Sequence, residues 1–260
     1  MFKNLTALLK YRQLIQSMVA RELKARYRGS VLGFFWSFIN PLLLLLVYTF
    51  VFSYVLPARQ PNLDPYALFL FCGILPWTWF SSSILESSNV LIAGGNLIKK
   101  VLFPAEVLPI VAVLSNMVHF LLGLPILLLF LIYEGKLTPT ALLLPLPILV
   151  QLILTLGLAL FVSALTVHFR DIQDLLTHIL QVWFFLTPII YYYGDIGGTL
   201  RQALRLNPMT HVMVSYQQIL FDGSFGHWPA LLKATAVALV VFAVGAFLFN
   251  RLRDTLAEEV

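Results

Sequence analysis

Between Val31 and Leu56 the chain runs for 26 residues, VLGFFWSFINPLLLLLVYTFVFSYVL, without one charged side chain. A helix of roughly 20 apolar residues crosses the hydrocarbon core of a bilayer, so this stretch is long enough to span. A basic segment, Lys24 to Arg28, immediately precedes it, and such a block holds its side of a span in the cytoplasm. Composition extends the constraint to the whole chain. With 60% hydrophobic and 11% charged residues and a mean hydropathy of +0.88, an ordinary soluble domain is excluded. The net charge of +5 does not point to nucleic acid, because seven of the 17 basic residues precede residue 30, beside the first span. Basic clusters there orient the protein and touch anionic lipid. The single cysteine, Cys72, sits in an apolar run and forms no intrachain disulfide. The first apolar run is too long for a signal-peptide core and lacks a small-residue cleavage site, so the N-terminal segment is expected to stay in the mature chain.

The pattern predicts an all-α integral membrane protein with six spans. Residues 5–29 form an amphipathic helix on the cytoplasmic interface, with Leu8, Tyr11, Ile15, Met18 and Val19 at helical spacing; a short helix packed on a partner has the same pattern. Spans are expected over 31–56, 66–92, 105–133, 139–167, 175–193 and 229–250. Pro41 interrupts the first; Gly73, Pro76 and the serines Ser81 to Ser83 interrupt the second. Glu86, near the end of the second, is costly in lipid and is expected to face protein or the cytoplasmic interface. Residues 94–104 read as a glycine hinge and a short basic helix, with Pro104 permitting a new helix to start. Residues 194–227 are too polar to cross and suit two short amphipathic helices dipping into the outer leaflet, Gly198 to Leu206 and Met209 to Phe221, separated by Pro208. Backbone at that depth needs protein or a wet cavity to satisfy it.

Both termini then lie inside, with 12 Lys and Arg on the cytoplasmic side and five outside. Small residues at Gly157, Ala159 and Ser163, or Ala234, Ala238 and Ala243, permit close helix approach. The chain has no nucleotide-binding loop, no HExxH zinc motif and no GxSxG elbow, so neither catalysis nor a resident cofactor or metal is expected. Buried carboxylates suited to proton coupling are scarce. Aromatics gather in the first span at Phe34, Phe35, Trp36, Phe38 and Tyr48, and in the fifth at Trp183, Phe184, Phe185, Tyr191, Tyr192 and Tyr193. Sugar rings stack on such side chains, so these are candidate channel-lining residues; an interfacial belt or simple packing accounts for them equally.

Four segments in order carry a resemblance: RELKARYRGSVLGFFWSFINPLL (Arg21 to Leu43), FCGILPWTWFSSS (Phe71 to Ser83), NLIKKVLFPAEVLP (Asn96 to Pro109) and HFRDI (His168 to Ile172). Together they resemble the membrane subunit of bacterial ATP-binding-cassette exporters for O-antigen, capsular polysaccharide and teichoic acid, over about residues 10–250. The resemblance implies two copies of this chain with two copies of a cytoplasmic ATPase subunit, which binds the ATP and Mg. It implies transport of an undecaprenyl-diphosphate-linked glycan across the bacterial inner membrane. It makes Asn96, Leu97, Lys99, Lys100, Leu102, Phe103 and Pro104 a coupling helix for the ATPase, and residues 194–221 a pair of re-entrant gate helices. Arg21, Lys24, Arg26 and Arg28, at the cytoplasmic mouth, are candidates for attracting the lipid diphosphate; topology and anionic-lipid contact are their other reading. An exporter of a drug or small lipid, a membrane-embedded lipid-modifying enzyme and a structural subunit are the alternatives.

Overall fold

The computed structural model describes residues 11–26, 28–55, 63–95, 103–169 and 171–259. Nine α-helices occur among them, and no strand: α1 Arg12–Arg26, α2 Trp36–Phe50, α3 Tyr66–Ala93, α4 Val107–Tyr133, α5 Pro145–His168, α6 Ile172–Phe185, α7 Gly198–Leu206, α8 Pro208–Gln217 and α9 Trp228–Glu259. Short 3₁₀ turns precede α2 (Gly33–Phe35) and α5 (Pro139–Leu143), and π turns extend α2 (Val51–Val55) and α8 (Gln218–Asp222). Five helical stretches are long and apolar enough to cross a membrane: Gly33–Phe50, Tyr66–Ala93, Val107–Tyr133, Pro139–His168 and Trp228–Leu252.

The second span is continuous despite Pro76 and the serines expected to interrupt it. The hydroxyls of Thr78 and Ser83 donate back to the carbonyls of Ile74 (2.9 Å) and Trp79 (2.6 Å), which satisfies them without opening the helix. The charged tail expected beyond residue 250 is helical as far as Glu259. The largest departure is the fifth span. Its helix ends at Phe185 rather than running to 193, and Leu186–Tyr192 follow without regular structure. Pro188 explains the stop, since it disfavours helix at Thr187 and has no N–H to continue the ladder. A 14-residue helix rises only about 21 Å, short of a full crossing.

At the centre stands α3, with 78% of its apolar window buried, whereas α2 has 11% and lies at the periphery. Against α3 pack α4, α5, α6 and α8. The most extensive helix pairing joins α5 to α9, and glycine makes it possible. A Cβ on Gly245 would sit 2.1 Å from the Gly157 carbonyl oxygen; one on Gly157 would sit 2.6 Å from the Phe242 backbone. Backbones that meet without side chains between them gain contact that any larger residue forbids. Of the small residues read as permitting close approach, Gly157 faces α9, and Ala159, Ala234 and Ala238 are buried in the core. A second apolar cluster closes the opposite part of the bundle, where Ile15 and Met18 of α1 pack with Leu91, Val107, Leu108 and Phe249. The amphipathic α1 therefore lies on the body of the protein through its apolar face, with Arg21 and Lys24 exposed.

Replacing Gly245 with Val is expected to destabilise the α5–α9 pair by about 3 kcal/mol. The check is thermal unfolding of the detergent-solubilised protein, with Ala243→Val, at a half-buried neighbour, as the milder comparison.

Candidate functional site

Two polar constellations interrupt the apolar bundle, one at each end. At the end where α1 packs, Arg26 leaves the last turn of its helix and reaches across to α3 and α4. Its Nη2 donates to Glu86 Oε2 at 3.0 Å and its Nη1 to Asn116 Oδ1 at 3.3 Å. Asn116, buried in α4, donates through Nδ2 to the same Glu86 oxygen at 2.7 Å and to the Ala112 carbonyl at 2.9 Å. The three side chains close a triangle in which the carboxylate is met by both donors. Glu86 thus faces protein. Of the four basic candidates, Arg26 alone takes part in it; Arg21, Lys24 and Arg28 lie exposed.

Beside this triangle a cavity of about 470 Å³ opens between α2, α3 and α4. Arg26 and Asn116 lie in its wall, with Trp36, Asn40, Phe71, Thr78, Trp79, Ser82 and Phe120. Two of its indoles are fixed by their N–H groups: Trp36 donates to Ser30 Oγ (3.0 Å) and Trp79 to the Val113 carbonyl (3.2 Å). Trp79 also stacks on Phe120 with ring centroids 5.1 Å apart.

The other constellation holds the irregular backbone after α6. The Leu186 carbonyl accepts from Asn207 Nδ2 (3.1 Å), the Pro188 carbonyl from Gln217 Nε2 (2.8 Å) and the Ile190 carbonyl from the Tyr66 hydroxyl. Asn207 is the hub. Its Nδ2 also donates to Thr187 Oγ1, and its Oδ1 accepts from Trp183 Nε1 and from the Met209 backbone N–H, each at 3.0 Å. That last bond caps α8, and Pro208 at its first turn suits the position. Residues 198–222 do form two helices about Pro208, and α8 is buried along its whole face against α3, α5 and α9.

Within the same end His211 and His227 touch, Nδ1 to Nε2 at 3.0 Å. His211 Nε2 faces the Arg205 carbonyl at 2.9 Å, which only accepts, so that nitrogen carries the proton. Neutral His211 then accepts at Nδ1 from His227 Nε2–H. Burial, then the adjacent His211 and Arg201, push His227 down to about 4. Burial likewise lowers His211, against the Arg205 carbonyl, with Lys233 and Arg205 adding to the fall.

The predicted aromatic groups divide. Phe34, Phe35 and Phe185 are exposed on the outer surface. Trp36 lines the cavity, Tyr48 packs on the core, and Trp183 and Phe184 pack edge-on against Trp77 at 6.5 and 5.8 Å. Phe38 is half-buried, in edge contact with Phe34. Tyr191 donates to the Phe185 carbonyl at 3.1 Å, and Tyr192 packs near Phe69. Of the residues expected to form a coupling helix, Asn96, Leu97, Lys99, Lys100 and Leu102 lie outside the described residues; Phe103 is half-buried against the α1 cluster and Pro104 is buried. Asn116 and the hub role of Asn207 have no periodic signal in the sequence, although the Asn-Pro pair at 207–208 is a helix-start signature. Among the described residues no group of three or more His, Cys, Asp or Glu side chains gathers to hold a metal.

The bundle is helical and apolar, with five stretches long and apolar enough to cross a membrane. The family model of ABC-2 type transporters matches residues 13–221, and the chain belongs to that family. It is similar over its full length to the O-antigen export system permease protein RfbA of Myxococcus xanthus, at 38% identity with all of both chains covered. The protein of the same name from Klebsiella pneumoniae is 33% identical over 92% of this chain and 91% of its own. The polysialic acid transport protein KpsM of Escherichia coli is 22% identical over 91% and 92%.

Two outcomes are expected at the Asn207 end. Asn207→Ala removes a cap and three further hydrogen bonds and costs about 1–3 kcal/mol, read as a fall in Tm. Because His227 titrates near 4 in the fold against 6.5 when free, the unfolded segment binds more protons between those values. Stability of residues 208–222 is therefore full above pH 6.5 and falls toward pH 4. Hydrogen exchange corrected for its intrinsic pH dependence measures this, and His227→Asn flattens the profile.

Proposed function

We propose that this chain is the transmembrane subunit of an ATP-driven exporter that moves an undecaprenyl-diphosphate-linked polysaccharide, of the O-antigen class, across the bacterial inner membrane. The observation that carries the reading is the agreement with an O-antigen export permease at 38% identity with all of both chains covered. In this reading ATP hydrolysis belongs to a separate cytoplasmic subunit, two copies of which pair with two copies of this chain.

In this arrangement the Arg26–Glu86 end faces the cytoplasm, as the excess of Lys and Arg there supports, and both termini lie inside. The chain crosses six times. Helix α6 and the irregular residues 186–192 after it together make the fifth crossing. Helices α7 and α8 form the re-entrant gate on the far side. Residues 94–104 dock on the ATPase, with Lys99 and Lys100 toward acidic groups of that partner. ATP-driven closure of the partner drives transport only if its two states favour different arrangements of this subunit. The thinly packed α2 and α6 are the elements such a change displaces most readily.

The test is ATPase activity of this chain co-purified in lipid with the nucleotide-binding protein encoded beside it. Stimulation by a lipid-linked glycan is expected, and Lys99→Glu with Lys100→Glu lowers the stimulation about tenfold or more, equivalent to losing about 1.4 kcal/mol of coupling. Failure to associate with any nucleotide-binding protein overturns the reading.

A further inference from the structure

The cavity between α2, α3 and α4 lies within one protomer, and its chemistry is specific. At about 470 Å³ it falls in the ~300–1,000 Å³ range of small-molecule sites. Its walls carry Trp36, Phe71, Trp79 and Phe120, with both indoles tethered through their N–H groups. Its polar groups are the amide and hydroxyls of Asn40, Thr78 and Ser82 and the imidazole of His119, and Arg26 stands with Asn116 where the cavity meets the end of α1.

Asn40 is exposed on a helix long and apolar enough to cross a bilayer, beside Thr78, whose hydroxyl is met by the Ile74 carbonyl. An amide is costly against lipid tails, so the opening at Asn40 serves something polar. Aromatic surface with amide and hydroxyl donors suits the two aspects of a sugar, its C–H faces and its hydroxyl edge. A guanidinium with N–H groups to spare suits a phosphate oxygen. Arg26 directs one N–H from each terminal nitrogen to Asn116 and Glu86, which leaves others. Glu86, 3.0 Å from the guanidinium, neutralises it and opposes a bare anion. A ligand must therefore contribute both contacts, sugar in the aromatic cavity and phosphate at Arg26.

We infer that this cavity is a binding site for the sugar-phosphate headgroup of a lipid-linked glycan, with Arg26 meeting the phosphate and Trp36, Thr78 and Ser82 meeting the first sugar. The site rests on the exporter reading for the kind of lipid it meets, and it places a headgroup inside each protomer, beside α2.

Cysteine protection tests it in the full chain alone, in phosphatidylcholine nanodiscs, so that failure of an ATPase to associate does not enter the result. Cys72 is fully buried and gives little background. Ser82→Cys is alkylated with a maleimide in the presence of undecaprenyl-diphosphate N-acetylglucosamine, undecaprenyl phosphate or phosphatidylglycerol. The glycosyl diphosphate is expected to slow labelling about tenfold or more, equivalent to about 1.4 kcal/mol of occupancy, with little effect from the other two. Adding Arg26→Gln removes the protection, and Asn89→Cys, exposed on α3 outside the cavity, is not protected. If Ser82→Cys does not insert, Thr78→Cys at the same opening carries the assay. Equal protection by phosphatidylglycerol marks a general lipid crevice and overturns the inference, as does protection by none of the three lipids. An ATPase stimulated by glycan while Ser82→Cys stays unprotected overturns this site and leaves the exporter reading standing.

Discussion

Backbone carbonyls that leave a helix within an apolar environment must find donors, and the stretch after α6 shows how this chain provides them. Three alternate carbonyls, at Leu186, Pro188 and Ile190, are met by side chains from both ends of α8 and from α3: Asn207 at the cap of α8, Gln217 at its last residue and Tyr66 at the start of α3. An unmet carbonyl there costs several kcal/mol. The break at Pro188 and the position of α8 are therefore one requirement. The buried α8 is where it is because the irregular segment beside it needs its ends, and the core around Met209, Val212 and Tyr216 closes over both.

The same rule governs the polar groups elsewhere. Gln151, fully buried in α5, donates to the Pro76 carbonyl of α3 at 2.8 Å, and Thr155 and Thr166 donate to their own helix. These side chains serve a helix contact or return to their own backbone, which helps a bundle this apolar keep one arrangement. The Arg26–Glu86–Asn116 triangle extends this logic to charge. It fastens the end of α1 to α3 and α4 across 60 and 90 residues of sequence.

Much of this was legible in the sequence, and the parts that were not have identifiable causes. Long uncharged runs marked the helices over 66–93, 107–133 and 139–168 to within two residues, because charge and length decide them, whereas the last helix runs past the expected 250 to Glu259. The Asn207-Pro208 pair announced the break between α7 and α8. Thr187-Pro188 carried a comparable signal for the end of α6, yet the apolar residues continue to Tyr193 and hydropathy masked the change of conformation. The aromatic clusters could not be divided by pattern, since a helix apolar on all sides has no face that periodicity can pick out. Asn116 was invisible for another reason: one amide in an apolar run acquires meaning only from partners distant in sequence. Glu86 was expected to face protein or the interface, and its partners came from the fold.

The contact of Gly157 with Gly245 has a mechanical consequence. Two helices pressed backbone to backbone cannot slide past one another without driving a carbonyl into a Cα, so α5 and α9 behave as a rigid strut. Displacement applied to this protein is then partitioned unequally: the strut transmits it, while α2, with little of its surface buried, absorbs it.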